Sequence, residues 1–258
     1  MSLLIIMPAF YLVIIRMAAD TIGAIEILRV IAITSFAGGT TFLGIYISKR
    51  TNFAEDHVLA LTAFGAGILI SAAIFSMVIE AEKSIGIMAT LFAFIAGAIV
   101  FTVADVIAEK KGGGAGILLG IGLDSIPESL AIGAAIASGP YLALSLLIGI
   151  QNVSEGIASY REMMTGKTAF SDNPKKVFVA TGIISIIPVI LGLVGLFYLT
   201  GMKEVIAYIL ALSAGGIFYM LHYDMIPKAH KERKWLPTFG AVFGFIIGFA
   251  IVRTVGGQ

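Results

Sequence analysis

Two short polar clusters interrupt an otherwise apolar run, GIGLDSIPESLAIGAAIASGPYLALSLLIGIQNVSEG, between Gly120 and Gly156. The first holds Asp124, Ser125, Pro127 and Glu128; the second holds Gln151, Asn152, Ser154 and Glu155. In each, a glutamate follows the first polar residue by four positions, about one helical turn, so Asp124 and Glu128 share a face, as do Gln151 and Glu155. Ser138-Gly139-Pro140 reads as a tight turn between them. Two antiparallel helices would therefore carry the clusters at similar depth. Three carboxylates, two carboxamides and the serines, with no lysine or arginine nearby, make an all-oxygen ligand set whose charge a divalent cation would neutralise. The candidate metal ligands are Asp124, Ser125, Glu128, Gln151, Asn152 and Glu155. The blander reading is hydrogen bonding between helices by protonated carboxyls. Pro127 cannot donate to the Leu123 carbonyl, which either becomes a further cation ligand or marks a simple kink.

The elements that must position these groups follow from composition. The 258 residues are 59% hydrophobic and 13% charged, with mean hydropathy +1.01. A soluble domain carries about a quarter charged residues, so most of this surface must face lipid. A net charge of +1 gives no reason to expect nucleic acid as a partner. The absence of cysteine excludes disulfides and thiolate metal sites. Thirty glycines suit membrane helices whose backbones approach closely. A span needs about 20 apolar residues, and eight candidates lie near 22–48, 57–79, 86–108, 114–138, 141–164, 176–200, 203–222 and 235–255. We number these spans 1 to 8; the fold class expected is an all-α polytopic membrane bundle. Residues 1–19 are a separate hydrophobic segment, either an extra span or an uncleaved signal-like stretch. No basic region precedes its apolar part, which argues against a cleaved signal. No long polar stretch points to an appended soluble domain.

Lysine and arginine set the orientation. The loops after spans 1, 3, 5 and 7 carry Lys49, Arg50, Lys110, Lys111, Arg161, Lys167, Lys175, Lys176, Lys228, Lys231, Arg233 and Lys234. The other side carries Lys83, Lys203 and Arg253. Twelve against three places the odd loops in the cytoplasm and the C-terminus outside, in the plasma membrane. Charge at membrane depth costs about 2.5–3.5 kcal/mol on insertion scales and is kept mainly for function; Asp124, Glu128 and Glu155 are the deepest acids. Asp224, His222 and His230 sit at the cytoplasmic end of span 7, as an exit-path ligand set or an interfacial cap. Asp105 shares a face with Glu109 at the inner end of span 3, as an exit-path group or a partner for Lys110. Glu80 and Glu82 end span 2 outside, where they either attract cations to an entrance or are ordinary surface acids. Gly112-Gly113-Gly114 is a flexible joint; without a GKS/T ending it is no phosphate loop.

The paired clusters resemble the H-N-x-P-E-G motifs in spans 4 and 5 of the ZIP family of zinc and iron transporters. Here they read Asp124-Ser125-Ile126-Pro127-Glu128-Ser129 and Gln151-Asn152-Val153-Ser154-Glu155-Gly156. Asp224-Met225-Ile226-Pro227 is similar to the family's E-[EL]-[IL]-P segment, and His230 matches a histidine of some bacterial members. The Ala-Gly-rich start of span 2 and its Ser76 to Glu80 end look similar too. The resemblance covers about residues 20–258. It implies a 3+2+3 bundle whose inverted halves enclose the span 4–5 pair. By motif position it puts Asp124 and Glu128 at a histidine and a glutamate ligand, Ser125 at the asparagine, and Gln151, Asn152 and Glu155 at the span 5 positions. Both motif histidines are replaced here, by Asp124 and Gln151. Lys228 stands where an acid is common, and the His-rich loop between spans 3 and 4 is reduced to Lys110–Gly114. An all-oxygen site suits manganese, magnesium or calcium and tolerates ferrous iron, whereas zinc favours nitrogen and sulfur.

The activity expected is divalent metal transport by alternating access, with the metal as substrate, no cofactor and no enzymatic step. Small residues such as Gly133, Ala137, Gly149 and Gly156 would let the rest of the bundle rock against the helix pair. A cation exchanger with two N-x-P-E repeats is the nearest rival, but its repeats lie about half a chain apart, not 27 residues. An intramembrane metal-dependent enzyme would need water-activating histidines; His57, His222 and His230 lie at span ends and no HExxH is present. A non-transporting receptor is the third. The lipid bilayer is the expected partner, and homodimerisation is left open.

Overall fold

The structure, a computed structural model, describes residues 22–111, 113–136, 141–166, 168, 170, 171, 173–230 and 234–256; the side chains of Asp124, Pro127 and several other helical residues are outside that description. The N-terminal segment, the expected Ser138–Pro140 turn and Ala137 therefore also lie outside the described residues. The described chain is helical and contains no strand. Its long helices follow the expected spans in order: α1 Ala24–Arg50, α2 Glu55–Ile85, α3 Ile87–Lys111, α4 Gly113–Ala135, α5 Tyr141–Thr165, α6 Pro174–Leu199, α7 Lys203–Ala229 and α8 Trp235–Val255. Seven are long and apolar enough to cross a membrane. The eighth, α4, carries the Asp124–Glu128 cluster; its 23 residues span about 34 Å at 1.5 Å each. Outward faces are strongly apolar, with Phe92, Ile95, Ile99 and Phe243 more than half exposed, as lipid-facing positions should be.

Local chemistry sets the breaks. Gly86 and Gly201 adopt φ of +78° and +84° at the α2–α3 and α6–α7 turns, a conformation that costs other residues a Cβ clash. Asn173 caps α6, its side chain accepting from the Lys175 amide, with Pro174 at the first helical position. Pro188 interrupts α6 at Ser185–Ile186. Of the two readings of Pro127, a broken helix is not seen: α4 runs helically from Gly113 to Ala135, as a simple kink would allow. Wide π-helical turns occur instead in α2 (Ala72–Val78), α6 (Gly195–Leu199) and α7 (Leu221–Met225). Such turns re-aim side chains and often mark functional segments.

The helix pairings repeat in a pattern. α2 packs on α8 as α3 packs on α7, and α1 on α5 as α4 on α6. Likewise α2 meets α5 as α7 meets α4, and α5 meets α8 as α4 meets α3. Exchanging α1 with α6, α2 with α7, α3 with α8 and α4 with α5 leaves this set unchanged. Consecutive spans alternate direction, so α1 and α6 run oppositely and the two triplets are related as an inverted repeat around the α4–α5 pair.

Glycines make the strongest of these pairings. A Cβ on Gly44 would strike the Val153 carbonyl oxygen, and one on Gly156 that of Thr41, locking α1 to α5. Gly133 meets the Gly192 carbonyl, locking α4 to α6. Gly67 and Gly244 do the same for α2 and α8, and Gly97 and Gly215 for α3 and α7. At Gly133 and Gly156, expected to permit sliding, the missing Cβ admits a backbone carbonyl of the neighbouring helix, so the contact is a close one. Gly149 instead receives the Phe36 ring of α1. These close approaches make four helix pairs: α1–α5, α4–α6, α2–α8 and α3–α7.

Candidate functional site

Glu128 lies fifteen residues into α4, about 22 Å from its start, and Glu155 ten residues from the end of α5, about 15 Å. Both are near mid-helix. Glu128 is 5% exposed, Gln151 3% and Asn152 8%, in a bundle with lipid-facing outer surfaces. Glu128 lies within electrostatic reach of Glu155, and Glu155 of Asp224 on α7. The structure thus brings together the α4 and α5 glutamates and adds Asp224.

Hydrogen bonds orient the remaining groups. Asn152 Nδ2 donates to the Ala37 carbonyl of α1 at 2.8 Å, which leaves its amide oxygen to accept or ligate. Gln151 Nε2 reaches Glu155 Oε2 at 3.4 Å, a long bond within one helical turn. Ser125 Oγ donates to the Ile121 carbonyl at 2.8 Å and keeps its lone pairs. Buried Ser154 lies beside Gly65, whose missing Cβ leaves room for it. Among the described residues, no three His, Asp or Glu side chains come together closely enough to hold a metal; Asp124 is not among the described side chains.

A cavity of about 790 Å³ leads from Glu155 to the end of the bundle that bears the basic loops; Glu128, Gln151 and Asn152 are buried behind Glu155 and are not in its wall. Glu155, Ser154 and Leu123 line its inner part; Glu55, Asp105, Glu162, Asp224 and Lys228 line it further out, with Tyr219 and Tyr223. At the opposite end the helices close on a solid core that includes Val30, Met77, Ile136, Leu144, Ile148 and Leu196, each at most 6% exposed. Phe75 of α2 seals against Phe245 and Phe249 of α8, ring centroids 6.2 and 5.1 Å apart. Among the described residues, the bundle is open at one end and closed at the other.

The remaining expected site residues divide. Asp105 and Asp224 line the cavity, and Asp105 accepts from Tyr219 Oη at 3.1 Å rather than standing only as a partner for Lys110. His222 is exposed, stacks on Phe218 and bonds the Phe218 carbonyl; it is not part of the cavity wall. His230 bonds the Ile226 carbonyl at 3.1 Å and approaches Thr238 on α8, also away from that wall. Glu80 pairs with Lys83 at 2.6 Å at the far end of α2, where Glu82 is exposed. Glu55 and Glu162 in the cavity escaped the sequence reading, and Lys228 entered it only as a basic-loop residue and a departure from the family's acid. Glu162 was findable: it falls seven residues after Glu155, two turns along the same face.

The fold and site together define a multi-pass, all-α membrane bundle with carboxylates at the head of an acidic cavity. No family model matches the chain. Over 145 residues the chain is 27% identical to a protein named zinc transporter GufA, from Myxococcus xanthus; the match covers 54% of this chain and 55% of that protein. The chain thus spans about half the length of the curated relative it matches.

Proposed function

We propose that this protein is a transporter, not an enzyme, and that it carries divalent metal cations of the zinc, iron or manganese class through the α4–α5 site by alternating access. The observation that carries the reading is a buried polar cluster, Glu128, Gln151 and Asn152, next to Glu155, which lines the inner part of a cavity that opens toward the basic loops. Asp124 and Ser125 share the face of Glu128 and complete the proposed ligand set. The resemblance of the paired motifs to the ZIP family and the partial similarity to a zinc transporter support it.

The basic loops assign the open end to the cytoplasm, so this conformation faces inward, with the C-terminus outside. The metal is held by oxygens near mid-membrane and leaves past Asp224 and Asp105. The two inverted triplets rearrange around the α4–α5 pair and so expose the site to one side and then the other. An inward potential favours a divalent cation by about 2.3 kcal/mol per charge per 100 mV, and the chain carries no ATP-binding motif.

Flux of zinc, manganese and ferrous iron into liposomes containing the purified protein tests this reading. Wild type should exceed protein-free liposomes for at least one metal, and Glu155→Ala should return to the background at matched protein amount. Background flux in wild type for all three would refute transport. Wild-type flux in Glu155→Ala would refute the site.

A further inference from the structure

We propose that Lys228 is a tethered cation that fills the exit end of the acidic path and lets the metal leave rather than lodge there; this rests on the transport reading above. Its Nζ lies 2.9 Å from Glu162 Oε2 on α5 and 2.8 Å from Asp224 Oδ1 on α7. All three residues line the cavity. Glu162 is two turns beyond Glu155, about 10.5 Å along α5, and Asp224 is within electrostatic reach of Glu155. The carboxylates Glu155, Asp224 and Glu162 therefore form a continuous acidic wall, and the ammonium occupies its outer end.

The bond's worth to the fold is small. All three side chains are about half exposed, and exposed ion pairs contribute little to stability because water screens them and ordering the side chains costs entropy. Its effect on a passing dication is larger. Two carboxylates from different helices that converge on one position are what hard divalent cations bind. With Lys228 present, that position already holds a cation that has three donors and no acceptor. A metal released by Glu155 meets a like charge at the Glu162–Asp224 pair, so that pair offers it no second resting place. Lys228 also ties α7 to α5. Replacing it with a neutral side chain converts the pair into an open chelate.

Equilibrium dialysis of the purified protein with manganese, counted as ions bound per chain, reads this directly. Lys228→Gln should bind one manganese more than wild type, Lys228→Arg should equal wild type, and Lys228→Gln with Glu162→Gln should return to the wild-type count. Lys228→Met carries the same expectation and serves if the glutamine variant does not fold. In liposomes, manganese on the cytoplasmic face should inhibit flux through Lys228→Gln at a concentration at least tenfold lower than for wild type. Equal counts in wild type and both neutral variants would overturn the proposal, as would an extra ion that survives Glu162→Gln. Repeating the count in Glu155→Ala separates the two readings. If the central site is wrong, the Glu155→Ala baseline is unchanged, while the increment from Lys228→Gln is still measured.

Discussion

Replacing Gly156 with alanine places a methyl against the α1 backbone, where it overlaps the Thr41 carbonyl oxygen and lies 3.1 Å from the Ile45 amide nitrogen. Neither partner is a flexible side chain that can swing away. To reach an ordinary contact near 3.5 Å the helices must part by roughly 1 Å. The same interface holds the Asn152–Ala37 hydrogen bond at 2.8 Å, one turn away on α5. Parting by that amount stretches it to roughly 3.8 Å, beyond the range of a real bond. Overpacking costs about 1–3 kcal/mol, and a bond between membrane helices about 0.6–1.7 kcal/mol. Together they give roughly 2–4 kcal/mol of lost stability. Asn152 would lose its orienting partner, which at metal sites typically costs about 10–100-fold in affinity. Two controls separate this cause from a general intolerance of glycine replacement. Gly149→Ala meets the ring of Phe36, which is 45% exposed and can move. Gly182→Ala has nothing within 4 Å and gains helix propensity. Thermal unfolding in detergent should rank Gly182→Ala highest, Gly149→Ala next and Gly156→Ala clearly lowest. Metal flux should show a raised half-saturating concentration only for Gly156→Ala. A Gly156→Ala protein as stable and active as Gly182→Ala would refute the close-approach argument.

Three further outcomes are expected. Glu128→Ala should insert normally yet lose metal uptake, because its carboxylate is buried beside Glu155; uptake at wild-type rate in reconstituted vesicles would remove it from the site. The pair Asp124→His and Gln151→His should raise the zinc-to-manganese flux ratio, since imidazole suits zinc better than carboxylate or amide oxygen does; competition uptake with both metals measures it, and an unchanged ratio would mean these positions do not set selectivity. Ser171→Cys, in a chain with no native cysteine, should resist an impermeant thiol reagent added to intact cells and react after lysis. Labelling from outside would reverse the proposed orientation.

Membrane spans were legible in the sequence because they depend on summed apolarity over about 20 residues. All eight long helices fall where the apolar runs lie. The pairing of Glu128 with Glu155 was legible for a similar reason: helical periodicity puts each on one face of its helix, and the short connection between the two spans forces them antiparallel. What periodicity does not carry is which neighbour a face meets. Gly133 and Gly156 read as small interface residues, but only the assembled bundle reveals that a backbone carbonyl of a particular neighbour lies where each Cβ would be. Asp224 and Glu162 lie 62 residues apart in the chain, and nothing local announces that Lys228 holds both. Local chemistry decided where the chain enters lipid and which oxygens it buries there; contacts between distant helices decided where the cavity opens and which charge stands in its mouth.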